Sequence, residues 1–178
     1  LGVRLLTTED PDEARAIAEQ LSRLNDERRA IEAAVQEAAE ALIEKQHNRA
    51  VLVLAGRGWH PGVIGIVAGR IKEKTGKPSL VIALDADEAG HGKGSGRSIA
   101  GVDLGAAIIG ARESGLLVAG GGHAMAAGLT VAPDRLDALA DWLDDRLGTD
   151  VMAAMSRQSL LLDLALAPGG LTTDLVST

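Results

Sequence analysis

The chain has 178 residues, 46% of them hydrophobic, which suits one domain with attachments or pieces of two and supplies a real core. With two Trp and no Phe or Tyr the core has to be aliphatic, and the lack of cysteine excludes disulfides, thiol chemistry and cysteine-ligated metal. The net charge of −7 argues against broad nucleic-acid binding, and no apolar run is long enough to span a membrane.

The charge is unevenly spread. Residues 50–130 carry eight basic and six acidic side chains, the only positive segment, and hold His60, His91 and His123. An anion site is expected there. No signal-peptide pattern is present, so a cytoplasmic location is expected. The chain opens on Leu1 rather than Met and closes on residues that read as the start of an element, so a fragment of a larger protein is expected.

In chain order, residues 1–8 suit a strand or the tail of a helix. Asp10, Pro11, Asp12 and Glu13 then form a helix start, with an acid at the cap and Pro at the first helical position. The helix is predicted to run to about Glu44, with Ile17, Leu21, Leu24, Ile31, Val35, Ala38 and Leu42 as one apolar stripe. Its length is that of a connector between domains. Residues 50–55 read as a buried strand, followed by a turn and a helix from Pro61 or Gly62 to Thr75, stopped by Gly76. Residues 79–84 form a second buried strand, giving the strand–helix–strand pattern of a parallel crossover and an α/β fold. Asp103 caps a predicted helix over 104–113, residues 128–132 are a strand, and 133–147 form an acidic amphipathic helix stopped by Gly148. Residues 159–166 alternate and suit a strand beyond that domain.

Three stretches carry candidate chemistry. GHGKGSGRS, residues 90–98, places glycine at every second position. Lys93 is followed by Gly94, which fails the phosphate-loop pattern, and the glycine spacing fails the dinucleotide fingerprint. In an extended chain His91, Lys93, Ser95 and Arg97 would share one face and the glycines would leave the other bare. That face would suit phosphate oxygens; a glycine-rich surface loop is the other reading. In GGGHAMAAG, residues 120–128, a helix over 124–127 would present free N–H groups and His123 to an anion; a purely structural histidine is the alternative. In GWHPGVIG, residues 58–65, His60 stands before a helix on which Gly62, Gly65 and Gly69 would share a closely packed face, against a strand or a nucleic-acid backbone. No paired-carboxylate, Ser-His-Asp or metal-ligand pattern emerges, and Asp85 and Asp87 have no histidine at ligand spacing.

Together, residues 59–68, 92–98 and 121–129 resemble the RecJ family of single-strand-specific exonucleases in the DHH superfamily, along the whole of this chain. The Gly-Gly-His motif is shared with oligoribonucleases, cyclic-dinucleotide phosphodiesterases and an alanyl-tRNA synthetase module; Trp-His-Pro-Gly-Val-Ile-Gly and the Ala-Met after Gly-Gly-His are more specific. The resemblance implies a DHH-associated substrate-binding domain over 47–150, a mixed, mostly buried sheet with flanking helices. A linker helix over 1–46 precedes it, and 151–178 would open a truncated oligonucleotide-binding barrel. It implies a 5′-to-3′ exonuclease of DNA repair and recombination, whose Mn²⁺ or Mg²⁺ ions are held by a DHH domain absent from this chain. No metal and no nuclease activity are expected in the fragment alone. Ser95 and Arg97 would contact the 5′ end or nearby phosphates, His123 would reach the scissile region, and the Gly121 and Gly122 N–H groups would lie nearby, with Arg57, His60 and Lys93 as weaker candidates. Single-stranded DNA is the implied partner, with helicase or single-strand-binding proteins as further ones. A phosphodiesterase acting on oligoribonucleotides or cyclic dinucleotides, and a non-catalytic nucleic-acid or protein interaction module, are the alternatives; the long linker and the late strand favour the exonuclease.

Overall fold

The computed structural model describes residues 1–86 and 90–157. A short helix, α1 (Gly2–Thr7), resolves the ambiguity of the first residues and leads into α2 (Pro11–Ile43). The Asp10 carboxylate accepts the Asp12 and Glu13 N–H groups and Pro11 fills the first helical position, so α2 begins where its sequence signature places it. The expected stripe is only partly buried. Ile17 and Val35 are covered, whereas Leu24 and Ile31 stay exposed and Ala39 is buried in place of Ala38. Polar groups fix this rotation. Glu32 is buried and held by Arg28 of its own helix and, at 2.5 Å, by Arg70 of α3 (Ile64–Thr75); Glu40 meets Lys74 of α3 at 2.5 Å.

The strands are β1 (Leu52–Arg57), β2 (Ser79–Leu84), β3 (Gly92–Arg97), β4 (Ala119–His123) and β5 (Ala126–Val131). They form one sheet in the order β1-β2-β3-β5-β4, with β1 parallel to β2 and the other pairs antiparallel. This is the expected α/β fold with a mixed sheet behind a long helix. The connection through α3 is the predicted crossover, and Gly76 ends that helix at φ +68°. β1 lies two residues later than expected, and β4 has no counterpart among the predicted elements: three consecutive glycines carry no strand signal. The sheet separates two aliphatic clusters. Leu52, Leu54, Val81 and Ala83 face α2 and α3, while Val53, Leu80, Ile82, Leu129 and Val131 face α4 (Leu104–Glu113) and α5 (Leu136–Ser156). Each fully buried Leu, Ile or Val contributes about 1.5–3 kcal/mol.

Two expectations meet the C-terminal part of the chain. Helix α5 does not stop at Gly148 but continues to Ser156, because Leu147 and Val151 on either side of the glycine are both buried and keep the helix on the sheet. The expected strand over 159–166, like Asp87, lies outside the described residues.

β3 is extended, with all three of its glycines buried on the α4/α5 side. An added Cβ at Gly94 would lie 2.8 Å from Leu129 Cγ and 3.1 Å from Ile82 Cγ1, and one at Gly96 would lie 2.7 Å from Leu104 Cδ2. Large side chains from the strands on either side, and from α4, therefore close over the bare strand. Gly94→Ala is expected to lower stability by about 1–3 kcal/mol through overpacking. Gly148→Ala, in a helix where the new methyl meets only Ala50 Cβ at 3.9 Å, is expected to raise it by about 0.5–1 kcal/mol. Urea midpoints moving in the same direction for both would contradict this packing.

Candidate nucleic-acid interface

The glycines on one face of β3 decide what stands on the other. Lys93, Ser95 and Arg97 project to the α2/α3 side, since Ser95 pairs with Val81 of that cluster. Strand pairing then extends each residue into a row across the sheet. Lys93 is opposite Thr130, which is opposite Ala119; Ser95 is opposite Gly128, then Gly121; Arg97 is opposite Ala126, then His123. Directly paired residues share a face, so Lys93, Ser95, Arg97, Gly121 and His123 stand together. Each row spans about 10 Å across two strand spacings, and the outer rows are about 13 Å apart. Helix α3 covers β2 and β3 but not β5, because Gly128 is exposed although its strand is flanked on both sides.

The site is cationic, and no carboxylate among the described residues pairs with its lysine or arginine. Arg97 donates to Ser95 Oγ at 3.1 Å and to the Gly96 carbonyl at 2.9 Å, and Lys93 donates to Thr130 Oγ1 at 3.0 Å. The guanidinium keeps further N–H donors for a ligand. Arg97 and Ser95 also lie against the start of α3. A Cβ on Gly65 would fall 3.0 Å from Ser95 Oγ and 3.1 Å from an Arg97 terminal nitrogen. Val63 supplies no side-chain cap there, so the first N–H groups of α3 add partial positive charge beside the pair.

His123 ends β4, exposed, and its side chain has no hydrogen-bond partner among the described residues. No helix begins after it; Ala124 and Met125 form the turn of a β4–β5 hairpin, and this corrects the expected helix over 124–127. The turn is pinned at both carbonyls. Leu104 N–H donates to Ala124 at 3.2 Å and Ser98 N–H donates to Met125 at 2.9 Å. Gly105 of α4 packs on the His123 backbone, where a Cβ would approach to 2.7 Å. The open helix N-terminus that sequence reasoning assigns to His123 belongs instead to α3.

The other candidates divide. Gly122 pairs with Ala127 and faces α4, where a Cβ would lie 2.3 Å from the Ala126 carbonyl oxygen, so its glycine serves the hairpin. His91 precedes β3 rather than standing within it. His60, on the turn before α3, accepts the Gly62 N–H on Nδ1 at 3.0 Å. Arg57 sits on the edge strand β1, paired with Asp85, and does not join the cluster. Of the three glycines expected on one helix face, Gly62 precedes α3, only Gly65 packs closely against a strand, and Gly69 has open space. Sequence reasoning missed Gly128 as a member of the face. No group of three His, Asp or Glu side chains that could hold a metal ion occurs among the described residues. No helix among them is long and apolar enough to cross a membrane.

An exposed, glycine-floored sheet face whose cations have no carboxylate partner among the described residues offers hydrogen-bond donors to an anionic ligand. The DHHA1 domain model matches residues 13–149, and the chain belongs to that family. Its relatives include the single-stranded-DNA-specific exonuclease RecJ of Dickeya dadantii, 42% identical over 155 residues, covering 83% of this chain and 27% of that protein. RecJ of Bacillus subtilis is 37% identical over 148 residues, 79% of this chain and 18% of that one. The crystal structure of RecJ from Thermus thermophilus in complex with Mg²⁺ superposes with a TM-score of 0.68 at 34% identity, covering 93% of this chain and 25% of that chain. A Mn²⁺ complex of the same protein superposes with a TM-score of 0.67. The chain thus spans about a quarter or less of the length of these relatives.

Charge compensation separates the two arginines. Arg97→Ala is expected to weaken binding of a 5′-phosphorylated oligonucleotide about tenfold or more, the loss of a hydrogen bond from a charged group. Arg57→Ala, whose charge Asp85 already offsets, is expected to change it less than about threefold. Equal losses in fluorescence anisotropy at low salt would contradict the assignment.

Proposed function

We propose that the chain is the substrate-binding part of a RecJ-like, metal-dependent exonuclease that degrades single-stranded DNA from its 5′ end in DNA repair and recombination. The observation that carries this reading is the juxtaposition of Lys93, Ser95 and Arg97 with His123 on one exposed sheet face, without carboxylate neutralisation among the described residues. In this reading Ser95, Arg97 and the open start of α3 hold the 5′-terminal or adjacent phosphate. Lys93 contacts the next part of the backbone, and Gly121 presents its backbone to the strand. His123, fixed by the pinned hairpin, positions the scissile region.

Residues 1–46 serve as the connection from a metal-binding domain and 47–150 as the substrate domain, whose last helix continues past that boundary to Ser156; the expected oligonucleotide-binding barrel over 151–178 falls mostly outside the described residues. A pair of Mn²⁺ or Mg²⁺ ions in the first domain supplies an activated water and stabilises the leaving oxygen. This chain's residues contribute binding and orientation, which convert encounter into a productive geometry. A cytoplasmic enzyme working with helicase or single-strand-binding partners is consistent with the reading.

The grip is on phosphate rather than bases. Non-specific single-strand binders commonly stack bases on aromatics, yet Trp142 donates to the Ala107 carbonyl on the opposite side of the sheet and Trp59 covers Gly56. Affinity is therefore expected to fall steeply with salt, by about 0.7 in log K per log salt for each phosphate contact, and Arg97→Ala should reduce the slope by about that amount. An affinity unchanged between low and moderate salt would contradict the proposal. With Mn²⁺ added, the isolated chain is expected to leave single-stranded DNA intact; robust degradation would place the chemistry within this chain.

A further inference from the structure

Most of the described glycines are required by the fold. Gly92, Gly94, Gly96, Gly105, Gly120 and Gly122 all stand where an added Cβ would come within 3.0 Å of a neighbour, and others have positive φ. Gly128 meets neither condition. Its φ is not positive, and the nearest atom to an added Cβ is the Gly94 carbonyl oxygen at 4.0 Å. Its cross-strand partner Gly121 has nothing within 4 Å. Glycine inside a strand loses more chain entropy on folding than any other residue and packs nothing. The fold would accept a side chain at Gly128 and be no worse for it.

The place of this pair in the proposed site explains the bareness. Gly128 and Gly121 form the outer part of the central row, continuing from Ser95 to the edge strand β4. On one side stand Arg97 and His123, on the other Lys93 and Thr130. We infer that Gly128, with Gly121, is a steric positioning element: a floor of bare peptide on which the sugar–phosphate backbone rests low enough to meet the donors on both sides. The inference rests on the phosphate-binding reading of this face. A methyl group on the floor would lift the strand by about an ångström, enough to spoil hydrogen bonds whose geometry is held within a few tenths. No charge is removed, so the electrostatic part of binding is untouched.

The test compares four forms of the chain, wild type, Gly128→Ala, Arg97→Ala and the off-site Gly148→Ala, by oligonucleotide anisotropy across a salt series and by urea denaturation. Gly121→Ala serves as a second variant of the floor. The inference predicts that Gly128→Ala and Gly121→Ala unfold at or above the wild-type midpoint. Both should bind about tenfold or more weakly at every salt concentration, with the wild-type salt slope. Arg97→Ala should lose slope as well as affinity, and Gly148→Ala should bind as wild type. A Gly128→Ala protein that folds and binds like wild type overturns the floor while leaving the phosphate site standing. If wild type shows no salt-dependent binding, the site reading fails and the inference fails with it. A Gly128→Ala protein whose unfolding midpoint falls well below the wild type's assigns this glycine to the fold and also overturns the inference.

Discussion

The alternation of glycine with polar residues along β3 is the constraint on which both halves of the molecule depend. On one face the missing Cβ atoms let Ile82, Leu129 and Leu104 close over the middle strand, which welds β2, β3, β5 and α4 into one core. On the other face the same alternation commits Lys93, Ser95 and Arg97 to a single direction. A one-residue slip of register would bury the cations and expose the glycines, so packing on the far side specifies the site on the near side.

The neighbouring elements act on that strand. Helix α3 brings an uncapped N-terminus to Ser95 and Arg97 because Gly65 lets it approach. The β4–β5 hairpin carries His123 to the opposite end of the Arg97 row, and the Ser98 and Leu104 N–H groups hold its turn. Helix α2 is clasped to α3 through buried Glu32, with Arg28 and Arg70, and through Glu40 with Lys74. The Lys74 ammonium and the Gln36 amide hold the Glu40 carboxyl below its usual range. Its contribution is present above the ordinary carboxylate pKa and is lost as pH falls through the depressed one. Being solvent-screened, it adds little to stability, and burial at Val35 and Ala39 remains the main attachment.

Much of this is legible in the sequence where one local rule dominates. Asp10-Pro11, Asp103 and Gly76 each mark a helix boundary by cap chemistry, and the run 79–84 is apolar enough to demand a buried strand. Strict alternation over 92–97 makes an extended strand one of two readings, and with it the face shared by Lys93, Ser95 and Arg97. What the local signals miss, tertiary contacts decide. Gly120, Gly121 and Gly122 form a strand because β5 pairs with it and α4 packs on it. Residues 124 and 125 turn because two distant N–H groups claim their carbonyls. Helix α5 passes through Gly148 because the sheet buries residues on both sides of it. The grouping of His123 with Arg97, and the separation of Gly121 from Gly122, depend on strand register, which no local pattern encodes.

The most direct test of the central claim, that the β3–β5–β4 face holds the strand end, is amide chemical-shift mapping of the whole chain titrated with a short 5′-phosphorylated single-stranded oligonucleotide. The largest shifts are expected at Lys93, Ser95, Arg97, Gly121, His123 and Gly128 and at the start of α3, with α5 unmoved. Shifts concentrated on α5 or on the β1 edge, or none at all at low salt, would contradict it.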